Sequence, residues 1–138
     1  MNNMALVTGA GGGIGRALAA QLSAQGRRVV AVGRDAARLA EVPAVLRIAA
    51  DTTTPEGAAL AFAACREALG EAPAQLAHCV GSTLIAPLQR TRIEAYRELM
   101  RVNLDSAVFV LQAWLAELKG EAGAAVFASS VVARIGVA

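Results

Sequence analysis

The chain has 138 residues, a formal net charge of +2, 56% hydrophobic residues and only 4% aromatics. That length supports one domain with a real core, and its apolar content is carried by small side chains suited to close packing of helices on a sheet. The near-balanced charge gives no nucleic-acid footprint, and no stretch approaches the roughly 20 apolar residues of a membrane span.

The first element is the apolar run Met4-Ala5-Leu6-Val7, read as a buried parallel strand. The turn Thr8-Gly9-Ala10-Gly11-Gly12-Gly13-Ile14-Gly15 follows, and a helical pattern runs from Arg16 to about Gln25, with Gly26 as its C-cap. Strand, glycine turn and helix is the arrangement of a phosphate cradle. Glycines let the backbone approach a pyrophosphate, and the helix start offers free N–H groups and a partial positive charge.

Arg28–Gly33 reads as strand two, and Asp35 as the N-cap of a short helix through Leu39. Ala44–Ala50 is strand three, ending at Asp51. Pro55 suits the first turn of a helix that Gly70 stops. Ala74–Val80 is strand four, closed by Gly81. Thr91-x-x-Glu94 has the form of a capping box and opens a helical region through Leu118, as two helices or one kinked helix, with Lys119 in its last turn and Gly120 ending it. Ala124–Ser129 is strand five.

Alternating strands and helices predict a doubly wound, Rossmann-type α/β domain over residues 1–138, with a parallel sheet in the order 3-2-1-4-5. Strand five is apolar and only nine residues follow Ser129, so the sheet is expected to be incomplete on its C-terminal side. Cys65 and Cys79 are isolated and lack metal-ligand spacing, so no metal and a reduced, cytosolic setting are expected. The N-terminus lacks the basic segment and long apolar run of a secretory leader.

The glycine spacing is neither the general G-x-G-x-x-G fingerprint nor a P-loop. Thr8-Gly9-x-x-x-Gly13-Ile14-Gly15 resembles instead the T-G-x-x-x-G-I-G motif of the short-chain dehydrogenase/reductase family. The likeness continues along the chain. An aspartate after strand three contacts the adenine in that family, and Asp51 stands there, although alone it reads equally as a residue that caps or bends a loop. The family's Asn-Asn-Ala-Gly after strand four is His78-Cys79-Val80-Gly81 here, which keeps only the glycine. Val80 and Gly81 would still flank the cofactor. His78 and Cys79 read as packed or lining groups.

Val102-Asn103-Leu104 is similar to the family's V-N-L segment, whose asparagine supports the active site; a helical Asn can also bond back to its own backbone. Ser129-Ser130-Val131 is similar to the I-S-S-V segment, which aligns Ser130 with the catalytic serine and leaves Ser129 as its neighbour.

Thr8, Gly9, Gly11, Gly12, Gly13, Ile14 and Gly15 would thus form the pyrophosphate loop, with Asn103 and Ser130 as active-site members. At the end of strand two, Gly33 is followed by Arg34 with no acid at the discriminating position. An arginine there suits a 2′-phosphate, so NADP(H) is expected over NAD, with Arg16 and Arg38 as possible helpers.

The resemblance implies an oxidoreductase that moves a hydride between nicotinamide and a small-molecule carbonyl or secondary alcohol. It also implies pairing of subunits through the 93–118 helical region. The family's Tyr-x-x-x-Lys pair is absent: Tyr96 has Met100 four positions on, and the lysine present is Lys119. The catalytic pair is expected beyond the 138 residues. The alternatives are a non-catalytic dinucleotide-binding or sensing module, and a structural subunit that pairs through the long helix.

Overall fold

A computed structural model describes residues 2–134. Met1 and residues 135–138, at the two ends of the expected 1–138 domain, lie outside the described residues.

Five strands form one parallel sheet in the order β3-β2-β1-β4-β5. They are β1 (Met4–Thr8), β2 (Arg28–Gly33), β3 (Leu46–Ala49), β4 (Gln75–His78) and β5 (Ala124–Phe127). The helices are α1 (Gly13–Ala24), α2 (Ala36–Leu39), α3 (Pro55–Leu69), α4 (Ile93–Met100) and α5 (Ser106–Leu118). The sheet order and alternation are those expected from the sequence.

The central strand β1 is buried at all five positions. The two-residue period of a strand sends its side chains to opposite faces. Met4 and Leu6 join Val30, Val32, Phe62 and Trp114 on one side. Val7 joins Val29, Ala31, Ala19, Leu39 and Val42 on the other. A strand buried on both faces cannot alternate apolar with polar, which is why MALV reads as a continuous apolar run.

Strand order reverses at β1, whose neighbours β2 and β4 are not consecutive in sequence, and ligands of open α/β sheets bind outside the strand ends at such a point. Here those ends carry Thr8 and His78, paired in register.

Helix ends follow the punctuation with four corrections, the first being that α1 begins at Gly13, inside the glycine turn, and not at Arg16. α3 has Pro55 in its first turn and Gly70 closing it at φ 77°, as read, and the structure adds an N-cap, the Thr54 hydroxyl accepting from Gly57 N–H at 3.0 Å. At α1 the C-cap is Gln25, and Gly26 sits one residue later in the left-handed region at φ 78°. Thr91 does not cap α4. The N-cap is Arg92, without a side-chain cap, and the Thr91 hydroxyl donates to the Pro87 carbonyl at 3.2 Å. Lys119 lies past the last turn of α5, itself left-handed at φ 52°.

The 93–118 region is one continuous run with a π-helical segment, Arg101–Asp105, between α4 and α5. Two side chains inside it bond back one turn, Asn103 Nδ2 to the Leu99 carbonyl and Ser106 Oγ to the Val102 carbonyl. Competition of that kind often bends helices, and π segments are often found at functional sites.

Candidate functional site

The C-terminal ends of β1, β2, β3 and β4 frame a cleft of about 580 Å³. Its floor is the glycine loop. Gly9 has φ +66°, and a Cβ there would lie 2.7 Å from the Cys79 carbonyl oxygen, so only glycine lets β1 turn this close to the β4 exit. The loop folds on itself through Gly12 N–H to the Gly9 carbonyl at 3.0 Å. Gly15, in the first turn of α1, presses against the loop, since a Cβ there would stand 2.3 Å from the Gly9 carbonyl oxygen.

The start of α1 has Gly12 as N-cap with no side-chain cap bond and no acidic residue in its first turn. Its leading N–H groups therefore have neither an internal partner nor a neutralising carboxylate, which is the electrostatic condition for receiving an anion. Gly9, Gly11 and Gly12 line the cleft. Gly13 lies at the helix start with open space where its Cβ would be. Ile14 is 70% exposed there, and Thr8 is fully buried beneath the loop.

Arg34 and Arg38 line the β2 side. Asp35 also reaches the cleft, but its Oδ1 accepts from Ala37 N–H at 2.9 Å and Arg38 N–H at 3.4 Å, so it caps α2 as read from the sequence. Arg16 is occupied elsewhere, its Nη2 donating to the Arg38 carbonyl at 2.6 Å.

On the β3 side Asp51 accepts from Thr53 through both the hydroxyl (2.6 Å) and the backbone N–H (3.1 Å), and Arg101 stands 3.9 Å from its other oxygen. Burial opposes its ionisation. The two Thr53 hydrogen bonds and the charges of Arg34 and Arg101 together outweigh that, and the carboxyl is held below its ordinary value. Asp51 is therefore an anion that turns its own loop while it lines the cleft. Arg101 also donates to the Thr53 hydroxyl and pairs with Glu98 at 2.7 Å. Neither Arg101 nor Glu98 stood out in the sequence, because helix-surface ion pairs are common and this one is singled out only by its approach to Asp51.

Cys79, Val80, Gly81 and Ser82 close the β4 side. Asn103 reaches across from the π segment. Its Oδ1 accepts from Ser82 N–H and its Nδ2 donates to the Ser82 carbonyl, both at 3.0 Å. That pair of bonds fixes the turn after β4. Ser130 is exposed past β5, and its hydroxyl oxygen accepts from Val132 N–H at 3.4 Å. Seven of the residues assigned to the cofactor from the sequence meet at the cleft: Gly9, Gly11, Gly12, Arg34, Asp51, Val80 and Gly81. Thr8, Gly13, Ile14 and Gly15 lie beneath or beside its floor, and Asn103 reaches it through Ser82.

His78 is a buried group whose bonding the sequence does not reveal. It is 2% exposed, its Nδ1 lies 2.8 Å from the Thr8 hydroxyl and its Nε2 lies 3.0 Å from the Ser106 hydroxyl. Burial alone pushes its pKa down to about 4, so the ring is neutral at pH 7. Burial likewise pushes up the Cys79 thiol.

Comparison with known proteins accords with this geometry. The model of the short chain dehydrogenase family matches residues 3–138. The chain belongs to that family. Among curated relatives, an uncharacterized oxidoreductase of Staphylococcus epidermidis is 32% identical over 117 residues, 81% of this chain and 50% of its own. The (3R)-3-hydroxyacyl-CoA dehydrogenase of Mus musculus is 31% identical over 150 aligned residues, covering 96% of this chain and 58% of its own. Among solved structures, a putative short-chain alcohol dehydrogenase from Sinorhizobium meliloti 1021 superposes with a TM-score of 0.90 at 27% identity, covering 97% of this chain and 56% of that one. This short-chain dehydrogenase chain thus spans about half the length of the curated relatives it matches. Among its described residues, no helix is long and apolar enough to cross a membrane.

Proposed function

We propose that the chain is the NADP(H)-binding part of an oxidoreductase that moves a hydride between nicotinamide and a carbonyl or secondary alcohol. The observation that carries this is the cleft at the reversal of strand order, floored by a glycine loop at an uncapped helix start.

The residues present fit a dinucleotide. Gly9 and its neighbours leave the backbone bare where a pyrophosphate would approach, and the first turn of α1 offers N–H donors. Arg34 would meet a 2′-phosphate, with Arg38 beside it, and Asp35, the carboxylate between them in sequence, is engaged in capping α2. Asp51 would accept from the adenine amino group, and Val80 and Gly81 would flank the ring system.

When bound, the cofactor supplies or accepts the hydride. The chain's own part is to hold and orient it and to polarise the substrate oxygen. Ser130 accepts from Val132 N–H, which leaves its O–H to donate to that oxygen. Asn103 holds the turn at Gly81 and Ser82 in place beside the reacting groups. The tyrosine and lysine that the family uses for proton transfer would come from sequence outside these 138 residues, consistent with the half-length match to relatives. The reading places the enzyme in the cytoplasm, where its two free cysteines stay reduced.

The cofactor assignment is tested by titrating NADPH and NADH into the parent and Arg34→Ala. The parent should favour NADPH by about 10- to 100-fold and the variant should lose most of that preference, as expected for one charge-assisted phosphate contact. Equal affinities in the parent would refute it.

We also propose that copies pair through the 93–118 region. Ile93, Leu104, Val108 and Leu115 are each between 43% and 54% exposed on it, apolar surface that pairing would bury. Light scattering should give a mass at least twice the 14.1 kDa of the chain, and a monomer at micromolar concentration would remove the proposal.

A further inference from the structure

His78 sits at the centre of a hydrogen-bonded chain whose direction the geometry fixes. Ser106 Oγ is 2.6 Å from the Val102 carbonyl oxygen, and only the serine has a hydrogen to share there. Its hydroxyl is thus spent as a donor, and its oxygen can only accept from His78 Nε2–H. The ring is the Nε2–H tautomer, and Nδ1 is bare and accepts from the Thr8 hydroxyl. Every polar atom of the set is satisfied with a neutral ring.

The two ends of this chain lie at the cleft. Thr8 is the last residue of β1, next to Gly9 of the loop. Val102 and Ser106 bracket Asn103, which holds Ser82 by its N–H and carbonyl. Gly81 is packed under the same side chain, since a Cβ there would lie 3.0 Å from Asn103 Oδ1.

We propose that His78 is a positioning residue for the nucleotide site, coupling the glycine loop at the end of β1, through Ser106 and the π segment, to the Asn103 clamp on the Gly81–Ser82 turn. This rests on the nucleotide reading of the cleft. An apolar side chain of equal volume would fill the space but leave the π segment free to relax, and the clamp with it.

Two readouts on the parent chain test this, with the thermal midpoint as control. One is hydrogen exchange of the Ser82 amide without nucleotide; the other is NADPH affinity. Ser106→Ala removes the acceptor and keeps the ring. It should speed Ser82 exchange and weaken NADPH by about tenfold, the worth of one buried hydrogen bond. His78→Gln, whose amide nitrogen can reach the Nε2 position, should stay nearer the parent than His78→Leu. Ser106→Ala added to Asn103→Ala should cost nothing further, because both act through one clamp.

Unchanged Ser82 exchange in Ser106→Ala, or additive losses in the double variant, would overturn the proposal. A parent that binds no NADPH would instead refute the nucleotide reading, and the exchange measurement would still decide the coupling.

Discussion

Replacing Gly15 by valine is expected to unfold the domain or cost it at least about 3 kcal/mol, read as the urea midpoint shift at constant slope. The Cβ would lie 2.3 Å from the Gly9 carbonyl oxygen and 2.9 Å from Ala10 Cα. Both obstacles are backbone, so no side chain can step aside. Relief would need α1 to lift from the sheet and take Ala19 out of the core beside Val7 and Val29. Gly13, two residues earlier in the same motif, behaves oppositely. Nothing lies within 4 Å of its Cβ position and valine is no poorer a helix former than glycine, so Gly13→Val should leave stability within about 1 kcal/mol of the parent. One motif therefore holds two kinds of glycine. Gly15 is glycine for the packing of helix on loop; Gly13 is glycine for whatever approaches from the cleft.

The second large effect is acid sensitivity centred on His78. In the unfolded chain a histidine takes up its proton near pH 6.5, whereas in the fold this ring resists until about pH 4. Between those values the unfolded state binds more protons, so stability falls as the pH falls. Integrated over the interval the loss is on the order of 3 kcal/mol, complete by about pH 4. Protonation would also put a hydrogen on Nδ1, facing a Thr8 hydroxyl that now donates to it. Asp51 acts in the same direction. Its folded-state carboxyl is held below its ordinary value, so its contribution is present above the unfolded pKa and is lost as the pH falls through the folded one. Urea unfolding at neutral pH and near pH 4.5 should show the decline, and His78→Gln should flatten most of it. A parent whose stability does not change over that range would contradict the buried neutral ring.

The architecture was legible because a parallel sheet covered on both faces writes its strands as apolar runs between helical periods. The edges of those runs were less legible. The apolar runs of strands three, four and five extend over Ala44–Ala50, Ala74–Val80 and Ala124–Ser129, whereas pairing is confined to Leu46–Ala49, Gln75–His78 and Ala124–Phe127. Hydrophobic pattern continues where the partner strand has ended; Ala50, Cys79 and Ala128 each still donate one bond to the neighbouring strand's end.

Thr91 misled because Thr-x-x-Glu has the spacing of a capping box, while its hydroxyl finds the Pro87 carbonyl one turn back. The π segment left a trace in the sequence, Asn103 and Ser106 as back-bonding residues mid-helix, but neither alone separates it from an ordinary kink. The partners of His78 lie 70 and 28 residues away in the chain, and no local pattern encodes them. The β-strand ends that carry Gly9, Arg34, Asp51 and Gly81 converge because of the strand order, so the topology alone gathers them.

The most direct measurement of the central claim is an NADPH titration of the parent beside Gly13→Val, with both thermal midpoints recorded. The account predicts that the parent binds, and that the variant keeps its fold and loses affinity by at least about 100-fold, since a branched side chain at the helix start blocks the close backbone approach of a pyrophosphate. A folded Gly13→Val that binds NADPH as the parent does would contradict it.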